Sequence, residues 1–131
     1  MTTILPDGWV TPRGYSNGVV ATGRVCFIAG QIGWDPRTLT PTFPATFAEQ
    51  FERALANVLE VLRAAGGRPD QLTRLTIYVT DKREYLASLR AIGAAWRALV
   101  GAHYPAMALV QVAALLEDLA KVEIEATAVL E

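Results

Sequence analysis

Between Ala45 and Ala65, the residues Phe47, Phe51, Ala54, Leu55, Val58, Leu62 and Ala65 recur every three or four positions, while Glu49, Glu52, Arg53 and Glu60 fall largely elsewhere. That spacing predicts an amphipathic helix with one apolar stripe. Gly66-Gly67 stops it as a left-handed cap would, and Pro69 keeps it from restarting. The pattern then switches to period two. "LTRLTIYVT" sets Leu72, Arg74, Thr76, Tyr78 and Thr80 against Thr73, Leu75, Ile77 and Val79, as a strand would.

The rest of the chain can be placed around this helix and strand. Thr22-Gly23 separates two short β-branched and aromatic runs, which predicts a hairpin of Val19–Ala21 with Arg24–Ala29. "IGWDPRTLTPTFP" reads as a surface loop. Asp81 caps a second helix with Glu84 three residues on, and the face of that helix is Tyr85, Leu86, Leu89, Ile92, Gly93, Trp96, Leu99 and Val100. Strands at about Pro105–Ala113 and Lys121–Leu130 complete the order β-β-α-β-α-β-β. The natural solution is an α+β fold, a sheet with both helices on one face.

A chain of 131 residues is the size of one domain, and no repeat or linker divides it, so 1–131 is expected to be a single domain. Its composition is 52% hydrophobic and only 19% charged, so some apolar surface is expected to meet another subunit. A net charge of −1, with basic residues scattered, gives no field for a phosphate backbone, and no nucleic-acid partner is expected. The lone Cys26, in "VCFIAG", reads as a buried inert thiol in a reducing compartment. The N-terminus lacks secretory-signal character and no apolar run is long enough for a bilayer. A soluble, cytoplasmic protein without membrane contact is expected.

The last strand separates Val122, Ile124, Ala126 and Ala128, suited to the helices, from Glu123, Glu125 and Thr127 on the opposite side. Alternation in "HYPAMALVQV" puts Met107, Leu109 and Gln111 together, and these are expected to neighbour the glutamates on a half-apolar face between subunits. Glu123 and Glu125 are either a solvated strand face or, if enclosed, a pair that can exchange protons. His103 lacks ligand partners at metal spacing and reads as a helix-end histidine bonded to terminal carbonyls; no metal site is expected. The glycines form neither GxGxxG nor a Walker pattern, so no nucleotide cofactor is expected. Tyr15, in "RGYSNG", either reaches into a cleft or clamps its loop.

"GYS", "VCFIAGQIGWDP", "EQFERALANVLEVLRAAGG", "LTRLTIYVTD", "YPA" and "VEIEATAV" occur in an order that resembles the RidA (YjgF) family of reactive-intermediate deaminases over nearly the whole chain. The resemblance implies a chorismate-mutase-like two-layer fold and a homotrimer with clefts between subunits, each holding a small-molecule ligand. It also implies hydrolysis of imines and enamines, such as 2-aminoacrylate and its imine tautomer, to a keto acid and ammonia without metal or cofactor. The family's cleft tyrosine then falls on Tyr15, the glycine of its "SG" motif on Gly30 and its water-handling glutamate on Glu123. The implied substrate-binding set is Gly30, Ala29, Met107, Leu109, Leu89 and Arg13.

Three of those positions depart from the pattern the resemblance supplies. Where the family's strand begins "PAR", with an arginine that clamps the substrate carboxylate, this chain has Met107; the usual serine before "GQ" is Ala29; and a helix asparagine is replaced by Leu89. A thioether neither donates hydrogen bonds nor neutralises a carboxylate. The chain therefore resembles an arginine-lacking branch whose cleft favours a ligand with an apolar or aromatic part. Arg13, two residues from Tyr15, would point the same way in an extended segment, and either supplies the cation or is an ordinary solvated arginine. Two functions stay open: a deaminase of an imine or enamine other than the usual small 2-imino acid, or a noncatalytic ligand-binding or interaction trimer of the same fold.

Overall fold

In the computed structural model, which describes residues 1–40 and 42–131, the chain begins with β1 (Thr2–Ile4), β2 (Gly18–Val20), β3 (Arg24–Ile32) and α1 (Phe47–Ala64). It continues through β4 (Leu72–Val79), α2 (Lys82–Ala87), α3 (Leu89–Leu99), β5 (Ala106–Gln111) and β6 (Val122–Leu130). Pro41, in the surface loop expected from sequence, lies outside the described residues. The main sheet has the order β3-β6-β4-β5; β6 runs antiparallel to β3 and β4, and β4 runs parallel to β5. This is the expected α+β fold with a mixed sheet.

Helix α1 forms where the periodicity places it. The Thr46 hydroxyl accepts from the Glu49 amide (3.2 Å) and donates to the Glu49 carboxylate (2.8 Å), capping the first turn. At the other end the Gly66 and Gly67 amides return to the Arg63 and Leu62 carbonyls, both at 2.9 Å, closing the helix with a Schellman motif. Phe51, Leu55, Val58, Leu59 and Leu62 are buried against Leu75, Ile77, Val122 and Ile124 of the sheet, with Ile92 and Trp96 of α3 completing the core. Each large side chain so buried contributes roughly 1.5–3 kcal/mol. Both helical segments therefore lie on one face of the sheet, and the other face is open.

Four expectations are corrected. The first is the hairpin: β2 pairs with β1, and β3 pairs with β6 instead. Gly23 at the turn lies against the Leu130 carbonyl, so the chain enters β3 already alongside the end of β6. The second is the single helix after Asp81, which divides at Ser88, where the hydroxyl donates to the Glu84 carbonyl at 2.7 Å and the backbone leaves helical geometry. The third is His103, whose ring Nε2 lies 2.6 Å from the carbonyl of Leu72 at the start of β4 rather than on the helix end. The fourth is Cys26, which is half-buried and opposite Ala128. No helix among the described residues is long and apolar enough to cross a membrane.

Candidate active site

The alternation of β6 is realised as read: Val122, Ile124, Ala126 and Ala128 are buried beneath the helices, and Glu123, Glu125 and Thr127 face the other way. The two glutamates differ. Glu125 accepts a hydrogen bond from the Tyr78 hydroxyl at 2.7 Å, and this bond holds the phenol above its ordinary pKa. Glu123 is half-buried and, among the described residues, has no side-chain hydrogen bond or ion pair. Its carboxylate lies over Gly30, where a Cβ would collide with Oε2. Gly30 and Ala29 sit at the irregularity in the β3–β6 register, between Ile28 and Gln31; such a bulge re-aims the chain beside a site.

Met107 and Leu109 are not neighbours of the glutamates, which corrects the expected shared face. In register, Met107 pairs with Leu75 and Leu109 with Ile77, both buried under the helices, whereas Glu123 pairs with Tyr78 on the open side. The alternation within β5 is the expected one, but which of its two sets faces the helices depends on the cross-strand register, and a shift of one residue exchanges the faces. Met107 instead lines a pocket of about 320 Å³ on the helix side, with Leu89 and Arg13.

Tyr15 lines a separate hollow, of about 300 Å³, with Ser16, His103 and Tyr104. Arg13 and Tyr15 thus diverge, contrary to the extended reading, because Gly14 between them takes φ +77°, a left-handed conformation that breaks the alternation. Ser16 is pinned beside β5: its amide donates to the Pro105 carbonyl at 3.0 Å and its hydroxyl to the Tyr104 carbonyl. The site residues named from sequence therefore form two groups. Glu123, Gly30 and Ala29 lie toward the β3 edge of the sheet; Met107, Leu89, Arg13 and Tyr15 lie toward the β5 edge. Glu123 on β6 and Met107 on β5 are two inter-strand spacings apart, roughly 10 Å, and on opposite faces of the sheet, so one chain does not bring both groups to one small substrate.

The family model described as Endoribonuclease L-PSP matches residues 10–130. The chain belongs to this YjgF/RidA family. The 2-iminobutanoate/2-iminopropanoate deaminase of Escherichia coli strain K12 is 34% identical over 110 residues, covering 84% of this chain and 83% of that protein. Protein DfrA of Myxococcus xanthus is 39% identical over 116 residues, 88% of this chain and 84% of that one. Among solved structures, a Yersinia pestis protein of unknown function in the conserved Rid protein family superposes with a TM-score of 0.84 at 34% identity, covering 98% of each chain.

Sequence reasoning missed several residues that this YjgF/RidA chain places beside the named ones. Phe27, Arg74 and Thr76 line an open-face cavity of about 450 Å³ with Ala29 and Glu125; their alternation was legible, but their company depends on strand order. Tyr85, Gly93, Trp96, Arg97 and Tyr104 line the pocket that holds Met107. A signal for Arg97 was present: it follows Leu89 and Gly93 at intervals of four, a basic residue on an apolar stripe.

Proposed function

We propose that this chain is a hydrolytic deaminase of a reactive imine or enamine, of an arginine-lacking branch of the family, working in clefts between the subunits of a homotrimer. The observation that carries this is the unpartnered, half-buried carboxylate of Glu123 over Gly30. In this reading Glu123 takes a proton from water as the oxygen bonds to the imine carbon and the C=N electron pair moves to nitrogen. Glu123 returns that proton to nitrogen, which gives the carbinolamine; it then takes the carbinolamine's hydroxyl proton and passes it to nitrogen as the C=O bond forms and the C–N bond breaks, and a carbonyl product and ammonia leave. Tyr15 positions the substrate by hydrogen bonding. Because Tyr15 and Glu123 lie toward opposite edges of one sheet, the β5 edge of one copy must meet the β3 edge of the next. Light scattering in dilute buffer is expected to give three chains per particle; a monomer that retains full turnover overturns the intersubunit site.

Met107 sets the expected selectivity. Losing a charge-assisted pair to a carboxylate costs roughly 1.5–3 kcal/mol, so the imine derived from 2-aminoacrylate is expected to be a poor substrate. Ammonia release measured on freshly generated imine should barely exceed the uncatalysed rate. Met107 is only half-buried, so Met107→Arg can extend its guanidinium to the pocket mouth, and it should raise that release at least about tenfold. Rapid wild-type hydrolysis of this imine, unaffected by Met107→Arg, would show that the residue does not govern selection.

A further inference from the structure

We propose that the helix-side pocket takes a carboxylate carrying a bulky apolar or aromatic group, with the carboxylate held at the mouth by Arg13 and Arg97. As a substrate assignment this rests on the deaminase reading above; as a binding site it does not. The pocket, about 320 Å³, is at the small end of ligand sites. Its walls are mostly apolar: Met107, Leu89 and Ile92 lie beside Trp96 and Tyr104. The last two rings stack at 6.0 Å and 9°, and the indole Nε1 donates to the His103 carbonyl at 3.0 Å, so this wall is fixed before any ligand arrives. A flat hydrocarbon group fits such a wall better than a small polar one.

Two cations border this apolar space. Arg13 and Arg97 are both exposed, both line the pocket, and among the described residues neither is in an ion pair. Planar guanidinium groups suit a carboxylate. Gly93 leaves the room: apart from the backbone of its own helix, a Cβ there would meet only the Nη1 of Arg97, one turn on, at 3.4 Å. A glycine inside a helix costs about 1 kcal/mol against alanine, and packing within the chain does not require it. A carboxylate at this mouth is held from a loop and a helix instead of from the strand, and only a ligand whose apolar group fills the pocket is placed to reach both arginines, which a small 2-imino acid cannot do. In a 2-imino acid the imine carbon adjoins the carboxylate. Anchoring the carboxylate at the mouth therefore keeps the reacting carbon at the mouth as well, where Glu123 of a second copy can meet it.

Calorimetric titration of the full chain with 3-phenylpropanoate, its neutral amide 3-phenylpropanamide, and propanoate tests this without turnover. The phenyl carboxylate is expected to bind at least about tenfold more tightly than either the amide or propanoate. In the Arg13→Gln/Arg97→Gln double variant the carboxylate and amide should bind within about twofold of each other, and Gly93→Leu should weaken both aromatic probes at least about tenfold. Equal wild-type binding of acid and amide, no binding of any probe, or a carboxylate preference that survives the double substitution overturns the proposal. Arginine-dependent binding without hydrolysis of any imine would leave this site standing and remove the deaminase reading. Glu123-dependent hydrolysis in a chain whose binding ignores both arginines would do the reverse.

Discussion

Replacing Glu123 with glutamine is expected to leave ligand binding almost normal and to slow ammonia release at least roughly a hundredfold on any imine the protein hydrolyses, the usual scale of general acid–base help. Glutamine keeps the length and much of the hydrogen-bonding capacity of glutamate while removing the titrating group. The fold offers no reason for the variant to unfold, because Glu123 holds no partner that substitution would orphan and its side chain lies on the open face of the sheet. Glu125→Gln is the internal control. Its carboxylate is already engaged by the Tyr78 hydroxyl at 2.7 Å, so its loss should disturb that pair and leave turnover within a few fold of wild type. Full turnover in Glu123→Gln rules out the proposed proton path. Equal losses in both variants would point to a general electrostatic requirement of the face rather than to one acid/base.

What could be read from sequence was the part governed by local periodicity. The stripe of α1, its glycine stop and the division of β6 into a buried face and a glutamate face each follow from residues close in sequence, and each matches the structure. Strand β1 was missed because three exposed residues, Thr2 to Ile4, have too little alternation to read. The break at Ser88 depends on one hydroxyl reaching back to the Glu84 carbonyl, which competes with a continuing helix without changing the apolar pattern. The assembly of the site is not legible in the sequence for a different reason. Met107 and Glu123 are each on an alternating strand, but whether they share a face depends on β4 lying between β5 and β6 and on the pairings Leu75–Met107 and Tyr78–Glu123. Those are long-range choices, and periodicity carries no information about them. Arg97 is not legible as a site residue because a basic residue beside an apolar stripe reads as a solvated flank, and only the tertiary structure places a pocket next to it.

The variant Gly30→Ala is expected to fold with wild-type stability and to lose turnover by at least about tenfold, approaching the loss in Glu123→Gln. The added Cβ would collide with the Oε2, Cδ and Cγ atoms of Glu123, the mobile end of a side chain rather than backbone, so the sheet can keep its register while the carboxylate is pushed aside. Gly30 is not in the left-handed region, so alanine brings no backbone strain. It also reduces the freedom of the unfolded chain, worth about 0.4–1 kcal/mol in favour of folding. Thermal unfolding should therefore show a midpoint within a few degrees of wild type, while ammonia release falls. The double variant Gly30→Ala/Glu123→Gln identifies the cause. If Gly30 acts by giving the Glu123 carboxylate its place, the second substitution adds little to the first, because both remove the same placed group, and the two effects are strongly non-additive. Additive losses would instead assign Gly30 a contact with the substrate that is independent of Glu123, the role its family position implies. Wild-type turnover in Gly30→Ala would mean that the carboxylate does not act from its position over Gly30.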